Sequence, residues 1–308
     1  MIFEVTVERM IVFFLILAVG FAAGKLGIIQ KQYLPHFAQI ITKILLPVMI
    51  FYATVSSCTR QTVLDNVVLI ALSAVFYVLI ALVTFMLAKI MRLPHDRDRV
   101  FQFCFIFGNT GFVGIPLLNA VFPETGLLYM MLFSIVDQLV FWTYGIWLST
   151  ARDRQSAKFN PKMLLTPNIV AMLLALVFVL AGIPLPGIFS TTLGTISNAT
   201  SAMCMMYLGT LVCFSDVFAA LKTKDLYVGV LVKMIALPII VGRLLMLTPL
   251  DPNMVMGLVL IMALPVMTVV PMIATQNGRE GEYATGITVA TLVVSIASIP
   301  LVAFLVGI

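Results

Sequence analysis

Phe105-Ile106-Phe107-Gly108-Asn109-Thr110-Gly111-Phe112-Val113-Gly114-Ile115-Pro116 places three glycines, an asparagine and a proline inside a largely apolar run. Such a stretch makes a poor continuous helix. Proline removes one backbone hydrogen bond and its ring strikes the preceding turn, and each glycine loosens the chain further. Between residues able to face lipid, the freed peptide groups must be satisfied by protein, water or a ligand. A helix broken near the middle of a membrane is therefore predicted, with exposed peptide dipoles at the break. The bland reading is a kink that lets helices pack closely, as small residues often do.

The apolar run around this stretch, residues 100–121, is one of ten. The others are 8–24, 35–57, 66–90, 125–149, 164–182, 189–214, 225–247, 253–274 and 283–306. Each approaches the length of about 20 residues that a bilayer demands. Of the 308 residues, 62% are hydrophobic and only 10% charged, where a soluble domain runs nearer a quarter charged. The fold class expected is thus an all-α integral membrane protein with ten transmembrane helices.

A net charge of +5 invites a nucleic-acid reading, but the basic residues fall between the apolar runs rather than along one face. With the N-terminus outside, the inside loops hold thirteen: Lys25, Lys31, Lys89, Arg92, Arg97, Arg99, Arg152, Arg154, Lys158, Lys162, Lys222, Lys224 and Arg279. The outside segments hold only Arg9, Arg60 and Arg243. That asymmetry is the bias of cytoplasmic loops, so no nucleic-acid partner is expected and both termini are placed outside. The apolar start could be mistaken for a signal peptide. Glu4 and Glu8 against Arg9 give it the wrong leading charge, and a retained first helix is expected.

The basic connector near residues 151–163 separates two halves, 1–150 and 164–308, with five runs each. A shift of 155 places Gly27 on Gly182 and Pro116 on Pro271. An odd number of helices per half makes the second half insert upside down, as in many secondary transporters. The span matching the opening stretch reads Ala263-Leu264-Pro265-Val266-Met267-Thr268-Val269-Val270-Pro271 and is interrupted in the same way. Paired Gly/Pro interruptions at corresponding places are a sequence pointer to a transporter's binding site, where opposed helix N-termini suit an anion. Helix breaks are expected at Pro47, Gly108, Gly114 and Pro265.

Three charged residues lie within apolar runs. Asp137 reads either as a proton- or cation-coupling carboxylate or as a hydrogen-bonding partner of a broken helix end. Lys43, one turn before Pro47, could pair with Asp137 or attract an anion, and Lys233 could compensate charge. Each lysine could equally reach an interface by its long stem. Asn168 reads as a helix-start residue, and Asn198, Ser201 and Gly209 as packing or cavity-lining positions. Cys58, Cys104, Cys204 and Cys213 form no CxxC pair, and His36 and His95 are scattered, so no metal site and no cofactor is expected. An intramembrane aspartyl protease would need a second acid facing Asp137, and a membrane metalloprotease a His-Glu-x-x-His helix that is absent. The loops are too short to favour a permease subunit of an ATP-driven complex.

The motif from Asn109 to Pro116, the Gly24-Lys25-Leu26-Gly27-Ile28 stretch, residues 263–278 and the tail 288–301 together resemble the auxin efflux carrier family, which includes bacterial malonate and malate permeases. The resemblance implies two inverted five-helix repeats with crossing helices 4 and 9, as in bile-acid symporters and sodium–proton antiporters. It also implies a scaffold of helices 1, 2, 6 and 7, a mobile unit of helices 3–5 and 8–10, elevator-type alternating access, and a homodimer in a bacterial cytoplasmic membrane. Asn109, Thr110, Gly111 and Pro116, with Thr268, Val269, Val270 and Pro271, would then hold the carboxylate of a small organic anion. A sodium-coupled symporter of the bile-acid type is the alternative within the same architecture. No long cytoplasmic loop is present, which favours an organic-acid carrier over an auxin exporter.

Overall fold

The computed structural model describes residues 2–150 and 166–307, so the expected connector at 151–163 lies outside the described residues. The described chain is helical throughout apart from one isolated β-bridge. We number the principal helices α1 (Ile2–Lys25), α2 (Lys31–Ser57), α3 (Val67–Ile90), α4 (His95–Ile106), α5 (Thr110–Val121) and α6 (Gly126–Ser149). The second half continues with α7 (Pro167–Ala181), α8 (Gly187–Phe214), α9 (Lys224–Leu245), α10 (Pro252–Met262), α11 (Val269–Gln276) and α12 (Gly281–Val306). Among the described residues, six helices (α2, α3, α6, α8, α9 and α12) are long and apolar enough to cross a bilayer. Large apolar side chains such as Val78, Leu82, Leu244 and Phe304 are exposed along them, and Leu15 on α1 and Val177 on α7 likewise, as expected where lipid replaces water as the solvent. The chain is an α-helical membrane protein.

Helix ends follow from the glycines. Gly182 caps α7 in the left-handed conformation at φ 66°, and Gly27, just past α1, has φ 73°. Only glycine enters that region without a Cβ penalty. These are the two positions that the 155-residue shift superposes.

The prolines show how a helix survives one. Pro47, Pro116 and Pro238 each stand two residues beyond the end of a π-helical stretch: Ile41–Leu45, Thr110–Gly114 and Val230–Ala236. A wider turn moves the carbonyl that the proline ring would strike and accommodates the missing N–H. The expected breaks at Pro47 and Gly114 are thereby corrected: α2 and α5 run on through these positions. Carbonyls loosened by the π-turn of α2 find partners on other helices. Asn168 donates its amide to the Thr42 carbonyl at 2.9 Å, and Thr200 its hydroxyl to the Leu45 carbonyl at 3.4 Å. Asn168 therefore does more than start a helix.

Helix α1 packs along α8, and α2 packs against α7 and α8. In a second group α3 packs on α4 and α6, while α9, α10 and α11 gather around α12. The α1–α8 contact is close because small residues remove the obstacle. A Cβ at Gly20 would overlap the Met206 backbone, and one at Gly209 the Leu17 backbone. Thr210 donates to the Gly20 carbonyl at 3.1 Å across the same contact. We expect Gly209→Ala to lower the melting temperature in detergent by roughly 5 °C, since a forced wedge costs about 1–3 kcal/mol. Gly24→Ala, whose new methyl would meet only the Cys213 and Thr210 side chains, is the milder control. Equal melting temperatures for the two variants would contradict this account of the contact.

Candidate functional site

The two interruptions meet. Helix α4 stops at Ile106 and α5 starts at Thr110, while α10 stops at Met262 and α11 starts at Val269. Gly108 and Val266 form an antiparallel bridge between the gaps. The Asn109 N–H donates to the Pro265 carbonyl at 2.8 Å, and the Met267 N–H to the Phe107 carbonyl at 3.1 Å. Gly108 and Pro265 thus lie in the gaps, whereas Pro116 and Pro271 sit inside helices. A side chain at Gly108 would press on Leu264, which explains the glycine there.

Side chains complete the satisfaction of the gap. The Val266 N–H donates to the Thr291 hydroxyl at 3.1 Å, and the buried Lys233 ammonium donates to the Leu264 carbonyl. Lys233 also lies within electrostatic reach of the buried Asp137. Asp137 accepts from the Tyr77 hydroxyl, from Thr110 Oγ1 at 3.3 Å and from Gln138 Nε2 at 3.1 Å. Trp142 Nε1 in turn donates to Gln138 Oε1 at 3.0 Å. The carboxylate therefore orients Thr110 and Gln138. It is Lys233, rather than Lys43, that the fold brings to Asp137. Lys43 is exposed on α2 and borders a different cavity.

A cavity of about 240 Å³ lies against the crossing. Asn109, Thr110, Gly111 and Val269 line it, but Pro116, Thr268, Val270 and Pro271 do not. The facing wall comes from α2, through Met49, Ile50 and Thr54, and from α8, through Ser197, Asn198 and Ser201. Asn109 Oδ1 accepts from the Phe112 N–H at 3.3 Å, capping the first turn of α5. Its Nδ2 is buried with no partner among the described residues. A buried amide donor left unpaired is costly unless something else occupies it, and this one belongs to a cavity-lining residue. The Thr268 hydroxyl is likewise buried and unpartnered among the described residues.

Among the described residues lining this cavity there is no charged side chain. What it offers is amide and hydroxyl groups together with the N-terminal ends of α5 and α11, whose dipoles favour a negative group. With no acid, base or thiol in the lining, the arrangement suits reversible binding of a small polar or anionic molecule. Gln138, Ser134 and Ser197 were not singled out from sequence. The i, i+4 spacing of Ser134 with Gln138 and of Ser197 with Ser201 is the signal that places each pair on one helix face.

A chain with apolar helices able to span a bilayer several times, two interrupted helices crossing inside it and a small polar cavity at the crossing defines the class of multi-pass membrane transporters. A family model described as membrane transport protein matches residues 5–303. The chain belongs to that family, the auxin efflux carrier family that its motifs resemble. It is also similar to an uncharacterized transporter of Methanothermobacter thermautotrophicus, at 22% identity over 68% of each chain. A second such transporter, from Methanocaldococcus jannaschii, is 23% identical over 67% of this chain and 68% of its own.

Lys233→Met removes both the cap on Leu264 and the cation beside Asp137. It is expected to cost about 3 kcal/mol, as breaking a buried pair does. In a double-mutant cycle with Asp137→Asn, measured by thermal unfolding in detergent, we expect a coupling of about 1 kcal/mol or more. Additive losses would remove the electrostatic link between the two residues.

Proposed function

We propose that this protein is a secondary transporter that carries a small organic anion, bound through its carboxylate at the crossing of the two broken helices. The observation that carries the reading is the cavity there, bordered by two helix N-termini and the unpaired Asn109 amide. The ten apolar runs form two inverted five-helix repeats in this reading, with α4–α5 and α10–α11 as corresponding broken spans. The antiparallel bridge, which pairs each gap with the other, supports an inverted relation. Helices α1, α2, α7 and α8 serve as the scaffold, and the remaining helices move against it as an elevator. The packing of α1 along α8 and of α2 against α7 and α8, with the cavity between this group and the rest, supports that division, although α1 also meets α5 and α12. Loop charge places both termini outside the cytoplasmic membrane, so the end of the bundle carrying Lys31 and Arg279 faces the cytoplasm. A homodimer is part of the same proposal, resting on the family resemblance.

Within the anion reading, the way Asp137 is engaged speaks against the sodium-coupled alternative. Its two oxygens already accept from Tyr77, Thr110 and Gln138, with Lys233 nearby, and it is not a lining residue. A fixed ammonium supplies the positive charge that a coupling cation would otherwise bring.

The test is uptake into proteoliposomes of labelled acetate, malonate, malate and indole-3-acetate under imposed voltage, pH and sodium gradients. At least one anion should accumulate, and failure of all four under every gradient would overturn the proposal. Asn109→Ala should abolish that uptake while leaving the yield of folded protein unchanged. Gly111→Leu should do the same, because a Cβ at Gly111 meets nothing within 4 Å and the side chain would fill open space. Wild-type uptake in either variant would move the site elsewhere.

A further inference from the structure

A second cavity, of about 280 Å³, lies further along the same interface. It is built by the three helices that already wall the first, with α2 contributing an earlier segment and α8 and α11 later ones. On α2 the wall passes from Thr54, Ile50 and Leu46 to Lys43 and Gln39; on α8, from Ser201 to Tyr207; on α11, from Val269 to Thr275 and Asn277. Gln39 and Lys43 are four residues apart, and Leu46 and Ile50 continue the same helix face through the π-turn. From Ile50 to Lys43 is seven residues, or roughly 10 Å along the axis.

Unlike the first cavity, this one has a cation. Lys43 forms no ion pair or hydrogen bond with any described residue, although it stands among the amides of Gln39, Gln276 and Asn277. Tyr207 on the opposite wall is buried, and its hydroxyl has no partner among the described residues. An unpaired ammonium, a set of amides and an orphan hydroxyl around an open volume form a site for a carboxylate. An adjoining cavity of about 250 Å³ shares Thr275 and is lined by Lys31 and Arg279 together with Glu280 and Glu282.

We propose that the cavity bordered by Lys43, Tyr207 and Thr275 is a second anion subsite. There the carried carboxylate is held on the cytoplasmic side of the crossing, before it reaches the crossing or after it leaves. This rests on the transport reading above. Lys43 belongs to the scaffold and Asn109 to the moving group, so the two sites serve different steps: Asn109 travels with the anion, and Lys43 waits for it. The subsite accounts for a lysine whose charge no described residue compensates, in a protein whose crossing cavity shows no cation among the described residues to draw an anion in.

The test measures transport of the best-carried of the four anions, presented first on one face of oriented vesicles and then on the other. Lys43→Gln should raise the KM about five-fold for anion presented on the cytoplasmic face, the worth of one partly exposed charge. The KM from the outer face should stay within about two-fold of wild type, and Lys43→Arg should restore the cytoplasmic value. In Lys43→Cys, a cationic aminoethyl methanethiosulfonate should recover transport and an anionic sulfonatoethyl reagent should deepen the loss, with reagent-treated wild type as the control. Equal shifts on both faces, or no shift on either, would overturn the subsite while leaving the crossing site intact. A wild type that carries none of the four anions would sink the transport reading, and this inference with it.

Discussion

Everything here depends on one constraint: a peptide group inside a bilayer must find its hydrogen bond within the protein. Two helices break this rule in mid-course, and they repair each other. Phe107 and Asn109 pair with Met267 and Pro265 across the bridge, and Thr291 and Lys233 reach in from neighbouring helices to take the Val266 N–H and the Leu264 carbonyl. The repair leaves the N-terminal ends of α5 and α11 beside the cavity rather than buried in helix. A continuous helix would have no such dipole ends to offer a ligand at this depth. The binding surface follows from the same break that had to be repaired.

The repair also explains where charge is tolerated. Lys233 earns its burial by capping a helix end, which carries a partial negative charge, and by lying near a carboxylate. Asp137 is surrounded by donors that also shape the cavity through Thr110 and Gln138. Neither group lines the cavity. Their contribution is to hold in place the neutral groups that do.

How much of this was legible in the sequence depends on how local each feature is. The apolar runs, the helix-ending glycines and the interruption around Gly108 are written in consecutive residues and can be read there. The interruptions themselves lie several residues before Pro116 and Pro271: a π-turn lets α5 absorb Pro116, and Pro271 stands in the first turn of α11, where its missing N–H is not needed, whereas Gly108 and Pro265 sit where backbone pairs with backbone. Nothing local distinguishes those two outcomes. The choice of Lys233 over Lys43 as the neighbour of Asp137 could not be read either, since it depends on which helices share a face. The same holds for Asn168 and Thr291, whose partners are carbonyl and amide groups on other helices, freed only once the fold has bent or broken them. Gln138 had a local signal in its spacing from Ser134, but it was overshadowed by the acid beside it.

The proximity of Lys233 to Asp137 has an electrical consequence. Both residues belong to the group of helices proposed to move, so opposite charges on them travel together and cancel. The cavity itself adds no charged side chain among the described residues. In that proposal the pair adds little net charge to what moves, and a bound anion adds its own, worth about 2.3 kcal/mol per elementary charge across 100 mV. Under the proposed movement, the voltage of a cell that is negative inside then acts on the cargo rather than on this pair.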